Sequence, residues 1–293
     1  METKQVIRRL ILARFTPHGW YGSAKSEQGR RDLEEKHGAK SIHVTAKYLP
    51  EKYAKPLRKA RDEMRAYWNA NTLPWQDGGW RVLPVDRCQR VMDKMAEMIA
   101  GSWRLATQAI IMHYDEIKAA AQADLNGLFD ARRFPARDYI EECYRAEISR
   151  APVTLPDDVR IEGMDKVALD EIKKEVAATN AEQMRGALLA LLGRLSDMLA
   201  EIVDRMNQDP KKTRYNSLIT RTVRPVLESA AALNITHDPK LAELIDSMKG
   251  TLGDIHAETL KASKGARATV KKYAQEFAEK VTDAMAEVER MVL

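Results

Sequence analysis

The sequence predicts a mainly α-helical protein: an extended antiparallel helical bundle with coiled-coil character and a small basic α+β portion at its N-terminus. Three observations predict it. Glycine and proline are sparse, at 14 and 11 of 293 residues, and Ala, Glu, Lys, Leu and Arg dominate, as in long helices. Two stretches in the C-terminal half repeat apolar residues at alternating steps of four and three, which keeps one stripe on one side of a helix. Strand-like alternation and hairpin glycines, by contrast, fall before Pro84. The chain is therefore expected to divide into a basic α+β portion (1–84), a helical core (85–150), an irregular linker (151–164) and a coiled-coil-like bundle (165–293).

Taken in order, residues 4–15 are rich in β-branched residues and read as a strand, closed by Thr16-Pro17-His18-Gly19. Ser26 to His37 reads as a helix ended by Gly38. Ser41 to Ala46 alternates polar and apolar and is a second strand, expected to pair with the first. Pro56 belongs in a first turn, so the next helix is expected from Lys55 to about Ala70, with Leu57, Ala60, Met64 and Tyr67/Trp68 inward. Asn71 to Pro84 reads as a hairpin about Asp77-Gly78-Gly79, with Trp75 and Trp80 paired across it. Val85 to Leu125 is helical behind Asp86 as a cap, and Gly101-Ser102 marks a bend. Phe134-Pro135 opens a short helix, Ala136 to Ile148, and the segment 151–156 breaks regular structure.

The longest helix is expected from Asp165 to Met206. Its seam is Met184, Leu188, Leu192, Leu195, Leu199, Ile202 and Met206, over a length of roughly 60 Å for the whole helix. Such a rod needs partners. Further helices follow at 215–233, with Pro225 as a kink, and at 239–248 behind Asp238-Pro239. A last helix is read from Val270, Ala274, Phe277, Val281, Ala284, Val288 and Met291. It is the natural antiparallel partner of the long one, and a second copy of the chain is the other.

Charge is unevenly placed. The net is +5, yet residues 1–65 hold 16 Lys/Arg against 8 Asp/Glu while the rest hold 32 against 35. A basic end of this kind favours phosphates or an acidic partner, or is simply a solvated face. Cys88 and Cys143 lie outside any CxxC spacing and read as free thiols of a reducing cytoplasm. No run approaches the ~18 apolar residues of a membrane span, so no membrane association is expected.

Chemical signatures are missing from the sequence. There is no HExxH, CxxC pair, EF-hand loop, GxxxxGK[ST] or GxSxG. Glu34-x-x-His37 has the spacing of half a di-metal site but no second copy, and His113 with Glu116 reads as a helix-surface ion pair. No catalytic residue, metal or cofactor is assigned, and the chain is read as non-enzymatic. One functional pattern remains at the N-terminus. Arg14, Phe15, Trp20, Tyr21, Lys25, Arg30 and Arg31 interleave cations with aromatics, as single-stranded nucleic-acid binders do, and a binding module there would use Arg8, Arg9, Arg14, Trp20, Lys25, Arg30 and Arg31. The plainer reading makes Phe15, Trp20 and Tyr21 internal anchors.

Trp20-x-Gly22, Leu73-Pro74-Trp75 through Leu83-Pro84, Phe134-Pro135, and Leu233-Asn234-Ile235 before Asp238-Pro239 together resemble a known pattern. It is that of an uncharacterised, mostly helical family carried by bacteriophages and integrative mobile elements. The resemblance covers most of the chain but carries no activity and no site. Members are often encoded beside a MoxR-like AAA+ ATPase and a von Willebrand A-type protein, which implies an adaptor or client role. The expected function is thus a structural or adaptor protein acting through helical surfaces, self-associating, with nucleic-acid binding as the alternative.

Overall fold

The computed structural model describes residues 3–38 and 40–290, and it is mainly helical with a smaller α+β part. The first expected strand divides in two, a helical turn α1 (Thr3–Ile7) and then β1 (Leu10–Pro17). Val6 and Ile7 are adjacent and both buried, which a strand cannot achieve on one face. β2 (Ser23–Lys25) precedes α2 (Glu27–His37). Ser26 caps α2 by accepting from the Gly29 amide, and Gly38 ends it at φ 65°.

β3 (Thr45–Lys47) does not join β1 as expected. It pairs antiparallel with β2, Ser23 opposite Lys47. The cause is Gly22, at φ +59°, whose carbonyl accepts from the amides of Tyr48 and Leu49. A side chain there would meet Leu49 Cβ at 2.2 Å, so only glycine lets the two segments close.

α3 (Glu51–Asn71) begins earlier than expected. The Pro50 carbonyl accepts from Tyr53 and Ala54 and so opens the helix. Pro56 then forfeits one bond, on an exposed face. β4 (Leu73–Gln76) and β5 (Trp80–Pro84) form the expected hairpin, with Gly78 and Gly79 at φ 74° and 82°. The two tryptophans are not paired across it. Gln76 stands opposite Trp80, and Trp75 is buried in the core instead. One sheet runs in the order β4-β5-β1-β6, where β6 is Ala146–Pro152, with β1 and β5 antiparallel and Leu12 opposite Val82.

α4 (Val85–Met98) starts one residue before Asp86, so that carboxylate lies in the first turn rather than at the cap. The expected bend at Gly101-Ser102 is a wide π-type turn, Ile99–Trp103, leading to α5 (Arg104–Met112) and, past His113, α6 (Tyr114–Leu125). Residues 136–148 are not a helix. They form turns and then β6 (Ala146–Pro152). Ile140 and Tyr144 are both buried, and Tyr144 Oη donates to the Trp20 carbonyl at 2.8 Å. Helical continuation would lose that anchor, and tertiary contacts override local propensity.

α7 (Lys166–Asn207) follows, capped by Asp165, which accepts from Val167 and Ala168 at 2.9 and 3.0 Å. Then come α8 (Tyr215–Leu218), a second π-type turn (Ile219–Val223) and α9 (Arg224–Ala232), with Pro225 just past the wide turn. α10 (Pro239–Leu252) is capped by Asp238, α11 (Ala257–Ala262) was not foreseen, and α12 is Lys264–Arg290. Met291 of the expected last stripe lies outside the described residues.

By contacts the chain falls into two compact units, each assembled from separated stretches. The first holds 1–14, 69–91 and 149–293; the second holds 15–68 and 92–148. The core of the first joins Leu10, Leu12, Leu73, Trp75 and Val82 of the sheet to the α7 seam and to Val270, Phe277 and Val281 of α12. The second centres on Phe134, whose ring meets Trp20, Tyr48, Tyr114 and Phe129 at 4.9 to 6.0 Å. Among the described residues no helix is long and apolar enough to cross a membrane.

Candidate functional site

The seven seam residues expected to present an interaction surface, Met184 through Met206, are all buried in the core of the first unit. α12 covers much of that stripe and runs opposite to α7. Lys271 Nζ donates to Asn207 Oδ1 at 2.8 Å at one end, and Ala284 and Val288 share a cavity with Leu188 and Leu192 at the other. That cavity, about 320 Å³, is also lined by Lys240 and Glu287, which pair at 2.8 Å. Each ion supports the other's charge: their hydrogen bond raises the Lys240 pKa and lowers that of Glu287.

The opening turns of α7 are different. From Lys166 to Thr179 not one residue is buried, whereas from Asn180 the helix joins the core. Leu169, Ile172 and Val176 are half-buried. Ile172, Val176 and Thr179 form one wall of a groove of about 540 Å³ whose other wall is Leu12, Trp75, Trp80 and the segment 151–154. The opposite face of these turns is open to solvent. Val167 is 71% exposed, and Ile161 and Met164 just before the helix are exposed too. Glu171, Lys174 and Ala178 follow Val167 along that face, all exposed. Neither Glu171 nor Lys174 has an ion-pair partner within the chain among the described residues.

The basic N-terminal pattern is dispersed. Arg8 and Arg9 are exposed on the turn after α1, and Arg14 lies with its guanidinium 5.1 Å over the Trp80 ring. These three belong to the first unit; Trp20, Lys25, Arg30 and Arg31 belong to the second. Trp20 is committed to its unit's interior, donating from Nε1 to the Arg133 carbonyl at 3.0 Å with its ring against Phe134. Phe15 packs on Trp68 and Tyr21 under Arg61. Arg30 is held between Glu27 and Glu34, and its hydrogen bond to Glu27, with the other contacts of both carboxylates, raises its pKa. Lys25 and Arg31 are exposed.

His113 pairs with Glu116 at 3.0 Å as the i, i+3 spacing implied. Cys88 and Cys143 are free thiols. Among the described residues no three His, Cys, Asp or Glu side chains converge on a metal position. Two further residues that no sequence pattern marks, Arg81 and Arg194, meet over the end of α3. Each is an ordinary lone arginine in sequence, and only the fold brings them together.

The chain matches no protein-family model, no curated protein and no solved structure. Function therefore has to be argued from its surfaces.

Proposed function

We infer that this is a non-enzymatic structural or adaptor protein that self-associates through the opening turns of α7. The carrying observation is that these turns hold no buried residue while presenting Val167, Glu171, Lys174 and Ala178 at steps of four, three and four. That stripe is complementary to itself when reversed. In an antiparallel pair related by two-fold symmetry, Val167 faces Ala178 of the partner subunit and Glu171 faces Lys174 of the partner subunit. The small alanine permits close approach, and neither ion has a partner within the chain among the described residues. Ile161 and Met164 extend the apolar end of the patch.

Within each chain, the α7 seam and α12 act as an antiparallel coiled coil in an extended bundle that stiffens this rod. Steps of four and three on both helices support that geometry. The family resemblance adds a phage or mobile-element setting, a bacterial cytoplasmic location and an AAA+ ATPase as a further partner. The N-terminal basic region is the second reading, for single-stranded DNA. Its support is limited to exposed cations, because its rings are spent on internal contacts.

Sedimentation or light scattering of the full chain tests the first reading. A dimer is expected, with Glu171→Lys weakening dimerisation about tenfold and the exchange of both charges (Glu171→Lys with Lys174→Glu) restoring it. A strict monomer, or a charge exchange that fails to rescue, sinks it.

A further inference from the structure

We propose that Arg81 and Arg194 form a binding site for a phosphate group, free or carried as a monoester on a small molecule. Arg81, on β5, donates from Nε to Thr72 Oγ1 at 2.6 Å and from Nη2 to the Thr72 carbonyl at 2.9 Å. Arg194, on α7, donates from Nη1 to the Ala70 carbonyl at 3.3 Å and from Nη2 to the same Thr72 carbonyl at 2.6 Å. Sharing one oxygen brings the two guanidinium groups within a few ångströms of each other.

Ala70 and Thr72 are the end of α3, where carbonyls lack helical partners and the helix carries about half a negative charge. α3 has no basic residue of its own in its last turn. One guanidinium would meet that end. The second adds a like charge at a site where both side chains are half-buried. Neither has a carboxylate partner among the described residues. Burial, then the charge of Arg194, pulls Arg81 down to about 10, and burial lowers Arg194 as well. Both shifts describe positive charge held without compensation.

Charge balance indicates which ligand fits. Two cations against about half a negative charge leave roughly one and a half uncompensated, and buried charges are ordinarily paired. A phosphate monoester brings about −1.5 to −2 near neutral pH, whereas a phosphodiester or a carboxylate brings only about −1. Donors remain for it. Among the described residues Arg81 Nη1 and Arg194 Nε have no hydrogen-bond partner, and neither is sealed from solvent. Planar guanidinium forks suit a tetrahedral oxyanion.

Calorimetric titration of the full chain with inorganic phosphate, at constant ionic strength set by chloride, tests the site. Saturable binding at one site is expected, and a parallel titration with glycerol phosphate shows whether the ester or the free ion is preferred. Arg81→Lys and Arg194→Lys keep the charge but lose the fork, so each should weaken binding about tenfold. Thermal melting of the unmodified chain needs no variant: phosphate should raise its midpoint above that in matched chloride. No saturable heat and no rise in midpoint, or binding that survives both lysine variants, overturns the proposal. Retention of an unphosphorylated oligonucleotide in place of phosphate would also overturn it, by pointing to backbone diesters.

Discussion

Tyr144 is buried, and its phenol donates to the Trp20 carbonyl. Burial, with the neighbouring Cys143 and Tyr21, raises its pKa far above the ordinary 10.0. For an acid whose folded pKa is raised, the native state holds a proton that the unfolded chain releases. Its contribution is therefore complete below pH 10.0 and lost progressively as pH rises beyond it. Tyr144→Phe should cost roughly 1–2 kcal/mol at neutral pH, by leaving the Trp20 carbonyl without its donor. The same variant should flatten the alkaline loss of stability, as urea titrations on either side of pH 10.0 would record. The resemblance motifs have comparable structural duties. The rings of Trp20 and Phe134 pack at 45° to each other, Gly22 admits Leu49, and Asn234 accepts from the Asp238 amide and donates to its carbonyl. The partners of Trp20 and Gly22 lie far along the chain, so sequence can mark Trp20 as an internal anchor but cannot say that Phe134 receives it, whereas Asn234 and Asp238 are only four residues apart.

Among the elements, α7 changes character along its length. Its cap, Asp165, serves turns that no core holds. Asp165→Ala should therefore cost about 1 kcal/mol, and the loss should be local. Hydrogen exchange should accelerate over residues 166–179 and stay unchanged from Met184 onward, whereas a uniform acceleration would mean the opening turns are held as firmly as the rest. Helix boundaries of this kind were legible, because caps and breakers act on neighbours. Ser26 and Gly38, Asp165, and Asp238-Pro239 each stand where local chemistry put them. What failed was decided at a distance. Residues 136–148 look helical until Ile140 and Tyr144 are claimed by the second unit's interior, and β3 takes β2 because Gly22 turns the chain toward it. The candidate surface was half legible. The stripe of α7 can be read continuously through Leu169, Ile172 and Val176, and nothing in its chemistry shows that the core stops at Asn180.

For the whole molecule, the chain passes between its two units after residues 14, 68, 91 and 148. The segment 149–293 holds the seam and α12 but lacks Leu10, Leu12, Leu73, Trp75 and Val82, which complete the same core. Expressed alone, it should keep helical circular dichroism yet lose cooperative melting and bind a hydrophobic dye. A sharp transition equal to that of the full chain would show the N-terminal strands to be dispensable. That interleaving also governs the order in which the protein can be completed as it leaves the ribosome. All residues of the second unit have been made once Ile148 is added, while Leu10 and Leu12 must wait for α7 and then α12. At ordinary synthesis speeds that wait lasts about ten seconds or longer. β1 can pair with β5 long before then, yet the face that carries Leu10 and Leu12 is among the last to be covered, and through that interval it is the surface most in need of a chaperone.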